Sequence, residues 1–149
     1  MALEEQKAIV RWGLDVLWNQ GNFAVLEEAL APGSVVHDSL VGDARGIDEI
    51  GRIVRAYRTG FPDIHFSVEQ QLAEHDIVAT HFVATGTHTG DFVGAAPTHR
   101  GARVAGVTLC RFAGVKLVES WWIWDTLALA RQLGLPRDWS PEPPLGAKN

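Results

Sequence analysis

Between residues 64 and 125 one pattern occurs four times: an alternating apolar and polar run of strand length that ends in a turn signal or a loop. The runs are IHFSVEQQLAE, IVATHFVATGT, ARVAGVTLCRF and KLVESWWIWD. Side chains two positions apart share a face of a strand, so each run predicts one strand of a sheet. His75-Asp76 separates the first pair and Ala113-Gly114 the last, both short enough for tight hairpins. Between the pairs lies HTGDFVGAAPTHRG (88–101), a Gly- and Thr-rich loop long enough to carry function.

The chain before residue 60 has a helical period instead. Residues 3–19 place Ile9, Trp12, Val16 and Leu17 on one side, opposite Glu4, Lys7, Arg11 and Asp15. Asn22 can cap a short helix, FAVLEEAL, which Pro32-Gly33 ends before a short strand around SVVHD. A third helix runs from about Ile47 to Thr59, with Ile47, Ile50, Val54 and Tyr57 inward and Arg52, Arg55 and Arg58 on a solvated face. Residues 125–133 predict a terminal helix stopped by Gly134 and Pro136. Helices followed by an antiparallel meander define the α+β class, a curved antiparallel sheet whose concave side the helices cover around a pocket. One domain is expected over 1–135, with a disordered tail over 136–149 (SPEPPLGAKN at its end).

Composition removes several functions. A net charge of −5 without a basic stripe argues against nucleic acid. No segment has the ~20 apolar residues of a membrane span, and the N-terminus has no apolar signal core. The single cysteine, Cys110, excludes an internal disulfide and fits a reducing cytoplasm. The six histidines show no metal-ligand spacing, so no metal is expected.

Turn positions set a register. A two-residue turn at Gly114-Val115 puts Thr108 opposite Trp121 and Cys110 opposite Glu119, so that Asp125 shares a face with Trp121, Ile123, Thr108 and Cys110. The other face carries Trp122 and Trp124, and being equally apolar it is expected to meet a second subunit in a homodimer or tetramer. In the first hairpin Gln70 falls opposite His81 on a face shared with Phe66. Two polar groups there either satisfy each other or point at a ligand. His37-Asp38 reads as the polar end of a short strand or as a pocket pair.

The last strand and helix, KLVESWWIWDTLALARQLG, resemble the C-terminal signature of the SnoaL-like polyketide cyclases: Glu119, Trp121, Asp125 and then Gln132-Leu133-Gly134. The family's Gly-Lys turn is interrupted here as Gly114-Val115-Lys116. FPDIHFSVEQ (61–70), TGTHTGDFVG (85–94) and the pair His37-Asp38 followed by Gly46 are similar to three further family blocks, in order, so the resemblance runs from about residue 5 to 135. It implies the cone-shaped α+β fold shared with ketosteroid isomerase, limonene epoxide hydrolase and nuclear transport factor two. It also implies a deep apolar pocket, no cofactor, and assembly through the sheet. In the cyclases an aspartate at the position of Asp125 is the acid/base of an intramolecular aldol closure.

For Asp125 the residues and the resemblance pull apart. Preceding TLALARQLG, it is a favoured N-cap, worth about 1 kcal/mol, and capping holds a carboxylate ionised. Desolvation beside Trp121 and Ile123 would instead raise its pKa toward a useful acid/base value. With the resemblance, the expectation is catalysis by Asp125 on a small apolar polyketide-like substrate. The walls are expected from Trp12, His37, Tyr57, Phe66, Thr108, Cys110, Trp121 and Ile123, with Gln70 or His81 polarising a carbonyl. Two rivals are epoxide opening, which needs acids around an arginine, and a non-catalytic carrier of a small apolar ligand. Arg111, the arginine well inside a predicted strand, points away from Asp125 in this register.

Overall fold

The computed structural model describes residues 2–145. Helix α1 (Ala2–Gly13) continues into a π-helical stretch, Leu14–Asn19; α2 (Val25–Ala29) follows, then β1 (Leu30–Asp38), β2 (Gly42–Arg45) and α3 (Gly46–Gly60). The meander comes next: β3 (His65–Glu74), β4 (Ile77–Thr87), β5 (Gly101–Ala113) and β6 (Lys116–Trp124), closed by α4 (Thr126–Leu133). The α+β class and the four meander strands are as the sequence predicts.

The six strands form one open sheet in the order β2-β1-β6-β5-β4-β3. The expected all-antiparallel sheet is corrected on one point, because β1 runs parallel to β6. Only hairpin-linked strands are forced antiparallel, and no hairpin joins these two. Strand β2 carries no apolar alternation in the sequence, because only Ala44 of its four residues is buried.

Both predicted hairpin turns are present, with Glu74 paired to Ile77 and Ala113 to Lys116. Gly114 adopts φ +61°, a left-handed conformation that glycine takes without steric cost. Just past the second turn, however, Arg111 pairs with Glu119 while Phe112 pairs with Leu117. Val118 is thus an extra residue on β6. This bulge moves every later side chain of β6 to the opposite face. Trp122 and Trp124, not Trp121 and Ile123, face inward. A second bulge at Glu69 leaves Gln70 opposite His81, as expected, but puts both outside.

The result is a ladder of alternating rows across β3, β4, β5, β6 and β1. Gln71, Thr80, Thr108, Trp122 and Asp38 form one inward row; Leu72, Ala79, Leu109, Trp121 and His37 form the next, outward. All helices pack on the inward side, which holds Val10, Leu17, Ile53, Phe82 and Leu133 in one core. On α1 the buried stripe is Gln6, Val10, Leu14 and then Leu17-Trp18 across the π-helical stretch. Trp12 lies off that stripe and is exposed. In the described part of the tail, Trp139 and Leu145 pack against the core and the Glu142 N–H donates to the Val93 carbonyl at 2.7 Å. Residues 146–149 of that tail lie outside the described residues.

Candidate functional site

Between the sheet and the helices lies an apolar cavity, about 550 Å³ when the open space at its mouth is counted. The π-helical stretch contributes Trp18, α3 contributes Tyr57, and the chain leaving α3 contributes Phe61 and Ile64. The sheet supplies Phe66, Phe82, Trp122 and Trp124, and α4 closes one side with Leu129. Gly106 makes this packing possible. A Cβ there would lie 2.6 Å from Trp124 Cβ and 2.7 Å from Phe82 Cζ, so only glycine lets both rings approach the wall.

Within this apolar lining two side chains are ionisable, Asp38 and Tyr57. Asp38 is the last residue of β1, two positions beyond buried Val36, so the strand's period turns it inward. The turn that follows holds it: Oδ1 accepts the Leu40 N–H at 2.8 Å and the Val41 N–H at 3.3 Å. The Tyr57 hydroxyl reaches both carboxyl oxygens, at 3.0 and 2.9 Å, donating its one hydrogen between them. Burial raises the Asp38 pKa, and the Leu40 N–H, the Tyr57 hydroxyl, the Val41 N–H and the Trp124 side chain oppose it without cancelling it. The Tyr57 hydroxyl is pushed well above its ordinary range, first by burial and then by the neighbouring Asp38 charge, so it stays a donor. Both backbone N–H groups bind Oδ1 and neither binds Oδ2, which leaves Oδ2 the freer oxygen.

Asp125 is elsewhere. It is the N-cap of α4, its Oδ1 accepts the Ala128 N–H at 3.0 Å, and it is exposed. Of the expected walls, Tyr57 and Phe66 line the cavity. Thr108 is buried on the inward face, its hydroxyl 3.6 Å from Cys110 Sγ. Cys110 faces a second apolar space under α1, and burial pushes its thiol up to about 11, leaving it unreactive.

Gln70, His81, Trp121 and Ile123 lie on the outward face, Gln70 and His81 exposed and Ile123 57% exposed. The two bulges explain these four misplacements. Trp12 is on the solvent side of α1. His37, one residue from Asp38 on the strand, therefore points outward too. Its Nε2 meets Glu119 at 2.7 Å and its Nδ1 meets Asp43 at 2.8 Å, while its ring stacks on Trp121. Glu119 in turn accepts from Arg111 at 2.9 Å. The bonds to Glu119 and then Asp43 raise the His37 pKa; Arg111 first and then His37 lower that of Glu119.

In the sequence Asp38 reads only as half of the His37-Asp38 pair, a polar strand end or a pocket pair, with no catalytic role attached. The signal was present in Ser34-Val36-Asp38, which share one face of β1, and in the single tyrosine on the apolar side of α3. Among the described residues no group of three His, Cys, Asp or Glu side chains could hold a metal ion. None of their helices is long and apolar enough to cross a membrane.

Residues 8–133 match the SnoaL-like polyketide cyclase family. A solved structure from Jannaschia sp. CCS1, described as a candidate SnoaL-like polyketide cyclase, is 25% identical with a TM-score of 0.84, covering 91% of this chain and 95% of that one. IdmH of Streptomyces antibioticus, described as a candidate polyketide cyclase, is 30% identical over 87% of this chain and 99% of its own, with a TM-score of 0.75. AclR of Streptomyces galilaeus, described as a candidate hydroxylase, is 26% identical with a TM-score of 0.77, covering 92% and 85%. The shared fold is ketosteroid isomerase-like. No curated protein matches the chain.

Proposed function

Because the chain belongs to the SnoaL-like polyketide cyclase family, we propose that it closes a ring in a poly-β-carbonyl substrate by aldol addition, with Asp38 as the acid/base. The observation that carries this reading is a carboxylate set in an apolar cavity wall, oriented by Tyr57 and two backbone N–H groups, with one oxygen left largely free. A methylene between two carbonyls is acidic enough for a carboxylate to deprotonate, and the raised pKa brings Asp38 nearer the operating pH.

Oδ2 takes the methylene proton, and the resulting enolate carbon attacks a carbonyl carbon folded against it. The protonated Asp38 then returns its hydrogen to the alkoxide, so the carboxylate is regenerated and no other reactant is consumed. The aromatic walls hold the chain in the folded conformer, which shortens the approach of the two carbons. Tyr57 keeps the carboxyl from rotating.

Epoxide opening fits less well, since the strand arginine Arg111 is engaged by Glu119 on the outward face. The carrier reading differs in one respect, that Asp38→Asn would alter nothing but affinity. Assembly is assigned to the outward face, where Leu72, Trp121 and Ile123 lie in adjoining rows, and not to Trp122 and Trp124. Conversion of a poly-β-ketone ester by the wild type and its loss in Asp38→Asn, with binding retained, test the cyclase reading.

A further inference from the structure

Behind the cavity described above, between α3 and the sheet, lies a third apolar space, about 460 Å³ when the open space at its edge is counted. Asp38, Trp18 and Trp122 are walls of both. The two indoles, with ring centroids 5.7 Å apart, stand where the compartments meet. The back compartment is closed by aliphatic side chains, among them Val36 and Val54, with Ser120 projecting from β6.

Ser120 is 1% exposed and its Oγ has no hydrogen-bond partner among the described residues. Three other buried polar atoms share that condition: Gln6 Oε1, Ser34 Oγ and His88 Nε2. Of the four residues, only Ser120 is a wall of either compartment, so it has both an unmet hydrogen bond and space for a partner. Its strand neighbours are Val36 and Cys110, which offer no strong acceptor. Leaving such a hydroxyl unmatched has a cost, and a residue of similar size without it would pack there equally well.

Ser120 lies on the inward face one ladder diagonal from Asp38, which pairs with Trp122 two residues on. Strand rise and spacing put their Cα atoms about 8 Å apart. A ligand polar group at Ser120 therefore sits a few bonds from an atom held at Asp38.

Resting on the cyclase reading for the identity of the substrate, we propose that the back compartment is a second binding subsite, in which Ser120 donates its hydroxyl hydrogen to a ketone oxygen whose hydrocarbon body lies behind the Trp18–Trp122 pair. The subsite thus sets which carbonyl of a poly-β-carbonyl chain lies deepest and, through it, which methylene meets Asp38. Ser120 is a positioning and specificity-determining residue.

Binding alone tests this, using acetophenone labelled with ¹³C at the carbonyl and ethylbenzene as the hydrocarbon of similar shape. In Ser120→Ala, acetophenone should bind roughly five- to tenfold more weakly, the worth of one hydrogen bond. Ethylbenzene affinity should not change, and the bound carbonyl resonance should move upfield. Ser120→Thr, which keeps the donor on a strand residue, should restore the ketone preference. Equal loss of both ligands, or a carbonyl resonance that depends on Asp38 and not on Ser120, overturns the subsite. Turnover surviving in Asp38→Asn would refute the aldol chemistry and leave this binding result standing.

Discussion

Two isosteric substitutions, Asp38→Asn and Asp125→Asn, separate the aspartate in the cavity from the aspartate at the helix end. At position 38 the amide oxygen can keep the N–H bonds from Leu40 and Val41, and the amide nitrogen can face the Tyr57 oxygen. Fold and binding survive while proton acceptance is lost. General acid/base action contributes a factor of about 10²–10⁴. At about 1.36 kcal/mol per decade, that is a barrier increase of about 2.7–5.4 kcal/mol. At position 125 asparagine caps as well as aspartate, and the side chain is exposed, so the rate should not move. Asp125→Ala should cost about 1 kcal/mol of stability, again without a rate effect. The assay is enzyme-dependent deuterium exchange at the methylene of ethyl benzoylacetate, followed by proton NMR above the uncatalysed rate, alongside ring closure of a poly-β-ketone ester. Retained exchange in Asp38→Asn with loss in Asp125→Asn would refute the assignment and restore the family-derived expectation.

Tyr57→Phe removes a hydrogen bond that stabilises the Asp38 anion, so the ascending limb of the pH–rate profile should move to higher pH; an unmoved limb would show that Tyr57 does not act on Asp38. His37, its folded pKa raised above 6.5 by Glu119 and Asp43, adds stability that is fully present below 6.5 and lost as pH rises through the folded value. Urea unfolding of wild type and His37→Ala should therefore diverge in mildly acidic buffer and converge in alkaline buffer. Ile123→Glu should reduce the oligomer seen by analytical ultracentrifugation, and an unchanged sedimentation profile would remove the outward face as the interface.

The fold class, the meander and both hairpin turns were legible because turn chemistry and period-two alternation are local. The positions of Gln70, His81, Trp121 and Ile123 were not, because they depend on two single-residue insertions. Val118 follows a correctly placed turn and precedes ESWWIW, in which both faces are apolar, so alternation gives no signal that the register has slipped. Ile123 was expected inside and is 57% exposed; Trp122 was expected at a subunit contact and packs within 6.1 Å of Trp18, Phe66 and Phe82, centroid to centroid. Asp38 was hidden differently. Its meaning depends on Tyr57, nineteen residues away on another element, and no local pattern links the two.

Burial of Asp38 also sets a pH-dependent stability, which gives an independent check on the site. The Asp38 carboxyl has a folded pKa raised above its ordinary 3.8, chiefly by burial. Below 3.8 both folded and unfolded chains hold its proton and the residue costs nothing on this account. Between 3.8 and the folded pKa the folded chain binds the extra proton, so stability falls as pH rises, and the full cost remains above that window. Asp38→Asn cannot ionise, so its stability relative to wild type should climb across the window and level off above it. The plateau should equal about 1.4 kcal/mol for each unit by which carboxyl-carbon NMR finds the Asp38 pKa raised. Parallel pH–stability curves for the two proteins would mean that Asp38 titrates as it does in the unfolded chain. The cavity would then hold a carboxylate without tuning it, and the proton-transfer role would have to pass to another group.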